Sequence, residues 1–308
     1  MGGSGSGPYR MGLGEADARR REAEEASQQA QLDAEVNSLL NRQVIEVNRR
    51  DSERVNSRLG EVEAALGSEL EGVDRLLFGG SVSKHTYVEG LSDVDALLVL
   101  DSSDYGGLAP GEVMEKLTTA LKKNLDRGEA VDIDAGELAV TVTYKEGLEL
   151  QLLPAVERDN KLSIKAAGED RWTAIEPKRF STELSVVNQA QAGAVVPAIK
   201  LAKVILANAP ESNWPTGYHL EALALSAFKD YNGPRNPKAM VTHFFESAAT
   251  GVRKPIADLT GQSVHVDEAL GPANSPDRRA LAQSLERIAT RMKNAPSSAA
   301  WQALLGED

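Results

Sequence analysis

Residues 78–101 read FGGSVSKHTYVEGLSDVDALLVLD, and this stretch decides the fold. Gly79-Gly80-Ser81 is followed by an 11-residue spacer, then Asp93-Val94-Asp95, then the apolar run Ala96–Leu100. Asp93 and Asp95 stand two apart, so on a strand both carboxylates point to one face. Two like charges at the mouth of an apolar strand repel each other and resist burial. A cation between them removes the conflict, and their hard oxygens suit Mg2+ or Mn2+. Gly80 and Ser81 can form a tight turn whose N–H groups and hydroxyl reach a phosphate. Together the two parts fit the metal-bound triphosphate of an NTP. Each part alone is weak: a lone Asp-x-Asp is commonly a solvated turn, and a lone Gly-Ser carries no information.

The chain around this stretch has 308 residues, enough for one large or two medium domains. Apolar residues make up 41% and charged residues 26%, as in an ordinary globular protein. There is no cysteine, which excludes disulfides, thiolate metal sites and a cysteine nucleophile. No apolar run approaches the ~18 residues that span a bilayer, and no signal peptide is visible, so the expectation is a cytoplasmic protein without a membrane partner. The net charge of −12 argues against general duplex binding, which needs clustered Lys and Arg.

Periodicity gives an α+β chain. The opening MGGSGSGPYRMG reads as a flexible linker or expression leader over 1–12. Residues 15–58 lack Gly and Pro and carry Val36, Leu39, Leu40, Val44 and Val47 at roughly helical spacing. The pattern resumes at Val62, Ala65 and Leu66, so one long helix or two is expected, ending near Leu77. A strand over Ala96–Leu100, a helix over 111–126, and two β-type runs, Leu138–Tyr144 and Leu148–Leu153, around the turn Lys145-Glu146-Gly147 complete the first half. A loop over 155–185 is expected to lead to helices over 189–208, 217–231, 238–250 and 276–294. The expected division is a catalytic lobe with the long N-terminal helix over 13–185 and a helical lobe over 186–308.

These residues resemble a known superfamily. Gly80-Ser81…Asp93-Val94-Asp95 is similar to the active-site signature of the polymerase-β-type nucleotidyltransferases. Leu148–Ala155 resembles the strand that carries the third carboxylate in the oligoadenylate-synthetase and cGAS-like branch. Arg171-Trp172…Glu176-Pro177 with Asn188, the helix Ala198–Lys203, the helix Tyr218–Leu223 and the ending Trp301–Gly306 follow in the order of the bacterial cGAS/DncV-like enzymes. The resemblance spans about residues 30–306 and implies a nucleotidyltransferase lobe with a mixed sheet, a C-terminal helical lobe, and synthesis of cyclic oligonucleotide signals in anti-phage defence. It implies Asp93 and Asp95 as Mg2+ (or Mn2+) ligands and catalytic residues, and Gly80, Ser81, Lys203 and Thr216 as nucleotide contacts. NTPs are the implied substrates and regulatory defence-system proteins the implied partners.

The chain departs from that pattern at one decisive place. The third carboxylate belongs three residues before Pro154, and Gln151 stands there. A neutral amide offers a carbonyl oxygen but no charge. Three readings fit: a weak or inactive natural homologue, an engineered isosteric Glu→Gln replacement that traps a substrate complex, or substitution by Glu149, two residues earlier on the same strand face. A second departure is Gly217, where relatives often carry Ser and where the Thr216 hydroxyl could substitute.

Other candidates read more plainly. Lys200 and Lys203 stand three apart, as on one helix face, where a solvated face is the plain alternative. Lys84 could also reach a phosphate, and Tyr87 could stack on a base. His85, His219, His243 and His265 are scattered and read as structural or exposed. Asp132 and Asp134 form a second Asp-x-Asp without an upstream Gly-Ser and read as an exposed strand end. Ser81 lacks the Gly-x-Ser-x-Gly frame of a hydrolase nucleophile. Two rival functions fit the same residues: transfer of one nucleotide to a protein, a small drug or an RNA end, and a non-catalytic nucleotide-binding or sensor module.

Overall fold

A computed structural model describes residues 13–49, 52–67, 73–78, 86, 94–126, 128–158, 161–166, 168–210, 214–261 and 263–307. The leader 1–12 lies outside them. The N-terminal helical pattern resolves into two helices, α1 (Leu13–Arg49) and α2 (Ser52–Gly67). The expected continuation to Leu77 is corrected by β1 (Val73–Phe78), an antiparallel partner of β2 (Val94–Leu100). Val73, Leu76 and Leu77 fit a helical spacing, but pairing with the buried strand decides their conformation. A short α3 (Ser102–Tyr105) and α4 (Pro110–Asn124) follow. Pro110 opens α4, and Val113, Leu117 and Leu121 recur at the spacing that buries one face.

The sheet continues with β3 (Ala130–Ala135), β4 (Val140–Tyr144) and β5 (Glu149–Arg158). The expected loop over 155–185 is corrected. It holds the end of β5, β6 (Lys161–Lys165), β7 (Trp172–Ile175) and most of α5 (Pro177–Ala190). Strand order is β1-β2-β5-β4-β3, with β6 pairing the far end of β5 and β7 extending from β6. Only the central β2–β5 pair is parallel among the described pairings. Alternation separates the two faces of the sheet. Ala96, Leu98 and Leu100 with Leu150, Leu152 and Val156 pack on α2 and α4. Leu97 and Ala155 on the opposite face pack with Ile164 and Ile175.

The remaining helices are α6 (Val195–Ala207), α7 (Gly217–Phe228), α8 (Pro237–Gly251), α9 (Pro276–Lys293) and α10 (Ser298–Leu305). The helix expected over 189–208 is broken at Ala192 (φ 55°) and Gly193 (φ 81°). Asn188 spans that break, its Oδ1 accepting from the N–H groups of Val195 and Val196 at 3.1 Å each. All these helices share one core, which Trp301 enters fully buried. Phe180, Leu184 and Val187 of α5 belong to it, and so do Val36, Leu40 and Val47 of α1. The division expected at 185/186 therefore falls inside α5, and the long N-terminal helix packs on the helical core.

Candidate active site

The β2–β5 register sets Asp95 directly across from Gln151. Their inward neighbours Ala96 and Leu152 enter the core under α2 and α4, so alternation puts Asp95 and Gln151 on the other face, both half-buried. Gln151 also lies across from Thr141 of β4, and Glu149 from Thr143. Glu149 is exposed one pleat further along the same face. The row Asp95, Gln151, Thr141 thus crosses three strands and supplies hard oxygens with a single carboxylate charge. Asp132 and Asp134 are exposed on the edge strand β3, opposite Thr143 and Thr141. Gly80, Ser81, Asp93, Lys84, His85 and Tyr87 lie outside the described residues.

Thr86 is described and fully buried. Its carbonyl accepts from Lys203 Nζ at 2.9 Å, and its hydroxyl donates to Glu221 Oε1. Lys203 Nζ lies 3.6 Å from that same carboxylate oxygen. Lys203, expected at the triphosphate, is thus turned into the protein between α6 and α7. Lys200, one turn earlier, donates to Asn48 Oδ1 of α1 at 2.5 Å. Burial pushes the Lys200 ammonium below its usual range, and the neighbouring charge of Lys203 adds to this.

Thr216 caps α7: its hydroxyl oxygen accepts from the His219 N–H at 3.3 Å. Thr216 and Gly217 are exposed, and a Cβ at Gly217 would lie 3.5 Å from Lys203 Nζ. The open N-terminus of α7 therefore sits beside the Lys203 cluster. Tyr218 follows, edge-on to Phe180 at 4.9 Å, its hydroxyl donating to Asp258 Oδ1 at 2.7 Å. Burial and then the Asp258 carboxylate push the Tyr218 phenol well above its usual range. His219 is buried with Nε2 3.5 Å from Asp267 Oδ2, and His243 Nε2 lies 3.0 Å from the Ala227 carbonyl. Among the described residues no group of three His, Cys, Asp or Glu could hold a metal ion.

Residues 31–188 match the family of the Second Messenger Oligonucleotide or Dinucleotide Synthetase domain. The chain belongs to this family. The chain's architecture also appears in solved structures. CdnG of Bradyrhizobium diazoefficiens, in complex with GTP, is 16% identical with a TM-score of 0.61, covering 90% of this chain and 96% of its own. DncV of Vibrio cholerae, a cyclic AMP-GMP synthase and prokaryotic cGAS homologue, is 10% identical with a TM-score of 0.62, covering 92% and 89%. CdnC of Escherichia coli MS115-1, in complex with HORMA-deltaN, is 15% identical with a TM-score of 0.59, covering 84% and 91%. These likenesses establish the nucleotidyltransferase fold. No curated protein matches the sequence. Among the described residues no single helix of this synthetase-family chain is long and apolar enough to cross a membrane.

Sequence reasoning missed Thr86, Glu221 and Asp258. Glu221 had a visible signal, since it is the only carboxylate in the otherwise apolar helix GYHLEALALSAF. A charge there must find a partner. Thr86 and Asp258 carry no such signal, because their importance comes from contacts with distant segments.

Proposed function

We propose that this chain joins NTPs into a cyclic di- or oligonucleotide second messenger in cytoplasmic anti-phage defence, with a regulatory defence protein as partner. The observation that carries the reading is the opposition of Asp95 and Gln151 on one sheet face, in a member of the synthetase family. Asp93 and Asp95 would hold Mg2+ (or Mn2+), and the Gln151 carbonyl oxygen fits the same hard-donor set. The bound ion would supply charge neutralisation and activation of a hydroxyl. Gly80 and Ser81 hold the donor triphosphate, and the exposed α7 N-terminus with Thr216 offers N–H groups to phosphate oxygens.

In the reaction a ribose hydroxyl oxygen bonds to the α-phosphorus of an NTP. The α–β bridging bond breaks, and pyrophosphate leaves with that electron pair. The hydroxyl proton needs an acceptor. A carboxylate at 151 would offer one, whereas the Gln151 amide neither accepts the proton nor adds a charge. That same observation favours a second reading, a nucleotide-binding module without turnover. Transfer of one nucleotide to a protein, a drug or an RNA end is the remaining alternative, and the charge of −12 disfavours long RNA.

The test incubates the chain, Gln151→Asp and Gln151→Glu with four radiolabelled NTPs plus Mg2+ or Mn2+, followed by phosphatase and chromatography. Phosphatase-resistant product from the carboxylate variants alone is expected, marking Gln151 as the block. Equal product from the unsubstituted chain would make Glu149 the third ligand. Nucleotide binding without product from any of the three would overturn the synthase reading in favour of the module.

A further inference from the structure

We propose that Glu221 is a positioning residue that, together with Lys203, fixes Thr86 against the helical core. Three segments far apart in sequence meet here: Thr86, Lys203 on α6 and Glu221 on α7. Thr86 and Glu221 are 0% exposed and Lys203 is 5% exposed. One oxygen, Glu221 Oε1, takes the Thr86 hydroxyl and faces the Lys203 ammonium, which in turn donates to the Thr86 carbonyl at 2.9 Å. The three groups close a ring through both the side chain and the main chain of Thr86.

Burying a charge is unfavourable unless it is paired and hydrogen-bonded. Glu221 and Lys203 neutralise each other, and Thr86 satisfies a polar atom on each. Displacing Thr86 would remove a hydrogen bond from both buried charges at once. The pair therefore holds Thr86 in place more firmly than one neutral hydrogen bond would. Thr86 stands five residues after Ser81, and five residues span at most about 18 Å. Lys203 on this view acts through Thr86 and not by touching phosphate. The role in positioning a nucleotide rests on the proposed function, whereas the anchoring of Thr86 does not.

Hydrogen exchange on the full chain without nucleotide reads the anchor directly. In Glu221→Gln and Thr86→Val the peptide spanning Thr86 is expected to exchange about tenfold faster or more, with peptides of β5 and α9 unchanged. Thr86→Ser keeps the hydroxyl and is expected to behave like the parent. The double variant Thr86→Val with Glu221→Gln should add little to either single change. ATP with Mg2+ should bind more weakly to the two anchor-breaking variants, by the factor by which the share of molecules holding Thr86 in place falls. Parent-like exchange at Thr86 in Glu221→Gln overturns the proposal. If that variant fails to fold, equal protection in Thr86→Val and Thr86→Ser overturns it instead. A loss of ATP affinity in Lys203→Met alone, with Glu221→Gln and Thr86→Val binding like the parent, would also overturn it and return Lys203 to the phosphate. A parent that binds no ATP would sink the nucleotide reading, while the exchange comparison would still decide the anchor.

Discussion

Asp95 and Gln151 face each other across the parallel β2–β5 pair, a carboxylate opposite an amide on the face of the sheet turned away from α2 and α4. Gln151→Glu or Gln151→Asp brings a second carboxylate to this pair. Without a divalent ion the two charges repel, so the variants should melt below the parent in EDTA. Mg2+ or Mn2+ should reverse that order, because a ligand that binds only the folded state stabilises it. Pyrophosphate release should rise about tenfold or more, equivalent to about 1.4 kcal/mol of barrier. Divalent-independent melting of the variants, with unchanged release, would show that position 151 is no part of a metal site.

Asn188 gives a prediction about scaffold and not chemistry. Its Oδ1 satisfies two N–H groups at the start of α6, the helix that carries Lys200 and Lys203. Asn188→Ala should lower the unfolding free energy by about 1 kcal/mol, the usual cost of a lost helix cap. Urea denaturation measures this, and Asn188→Asp should recover most of it. An unchanged midpoint in Asn188→Ala would mean that water replaces the cap at no cost.

The legible parts of this chain were those where local pattern and tertiary partner agree. The run Ala96–Leu100 reads as a buried strand because five apolar residues follow two carboxylates, and α4 reads from Val113, Leu117 and Leu121. Val73–Phe78 does not, since VDRLLF fits a helix continuing from Leu66 as well as a strand, and only β2 breaks the tie. KLSIK and WTAI are too short and too mixed to announce β6 and β7. The register that sets Gln151 beside Asp95 is likewise a product of pairing between residues 56 positions apart in the chain. Spacing from Pro154 located the residue, but no local rule could locate its neighbour.

Arg58 of α2 tests how the sheet is tied to the helix beneath it. It donates to Glu61 at 3.0 Å, to Glu129 at 2.9 Å and to Glu146 at 2.9 Å, with its guanidinium 4.5 Å from the centre of the Tyr144 ring. Glu146 and Glu129 flank the β3–β4 hairpin, so one side chain holds three segments. Burial opposes the charge, and the three carboxylates more than offset it, raising the guanidinium pKa. Arg58→Met keeps much of the packing and leaves three carboxylates facing one another. It should cost about 1–2 kcal/mol, a figure held down by the partial exposure of the partners. High salt should narrow the gap to the parent in urea melts. A gap that salt leaves unchanged would assign the loss to packing.

His219 makes stability depend on pH in a window of its own. Burial holds its imidazole below the usual 6.5, Asp267 works the other way, and Arg278 reinforces the burial. Arg278 is itself fully buried and donates to Asp267 Oδ2 at 2.5 Å and to the carbonyls of Gly271 and Val252. Asp267 therefore already has a cation, and a second positive charge on His219 is unwelcome. In the folded chain His219 stays neutral where the unfolded chain takes up a proton. Stability is thus full above about 6.5 and falls as the pH drops below it. Below that value the slope rises toward a ceiling of about 1.4 kcal/mol per pH unit, and it vanishes again under the folded pKa. Asp267, whose pKa is lowered chiefly by Arg278 against the opposing effect of burial, loses its contribution only at lower pH, as the medium falls through and below 3.8. The unfolding free energy of the parent, from urea melts, should therefore drop between pH 7.5 and 5.5, and that of His219→Gln should drop by about 1 kcal/mol less. Equal slopes for the two proteins would show that the imidazole is protonated in the folded state, paired with Asp267 beside Arg278.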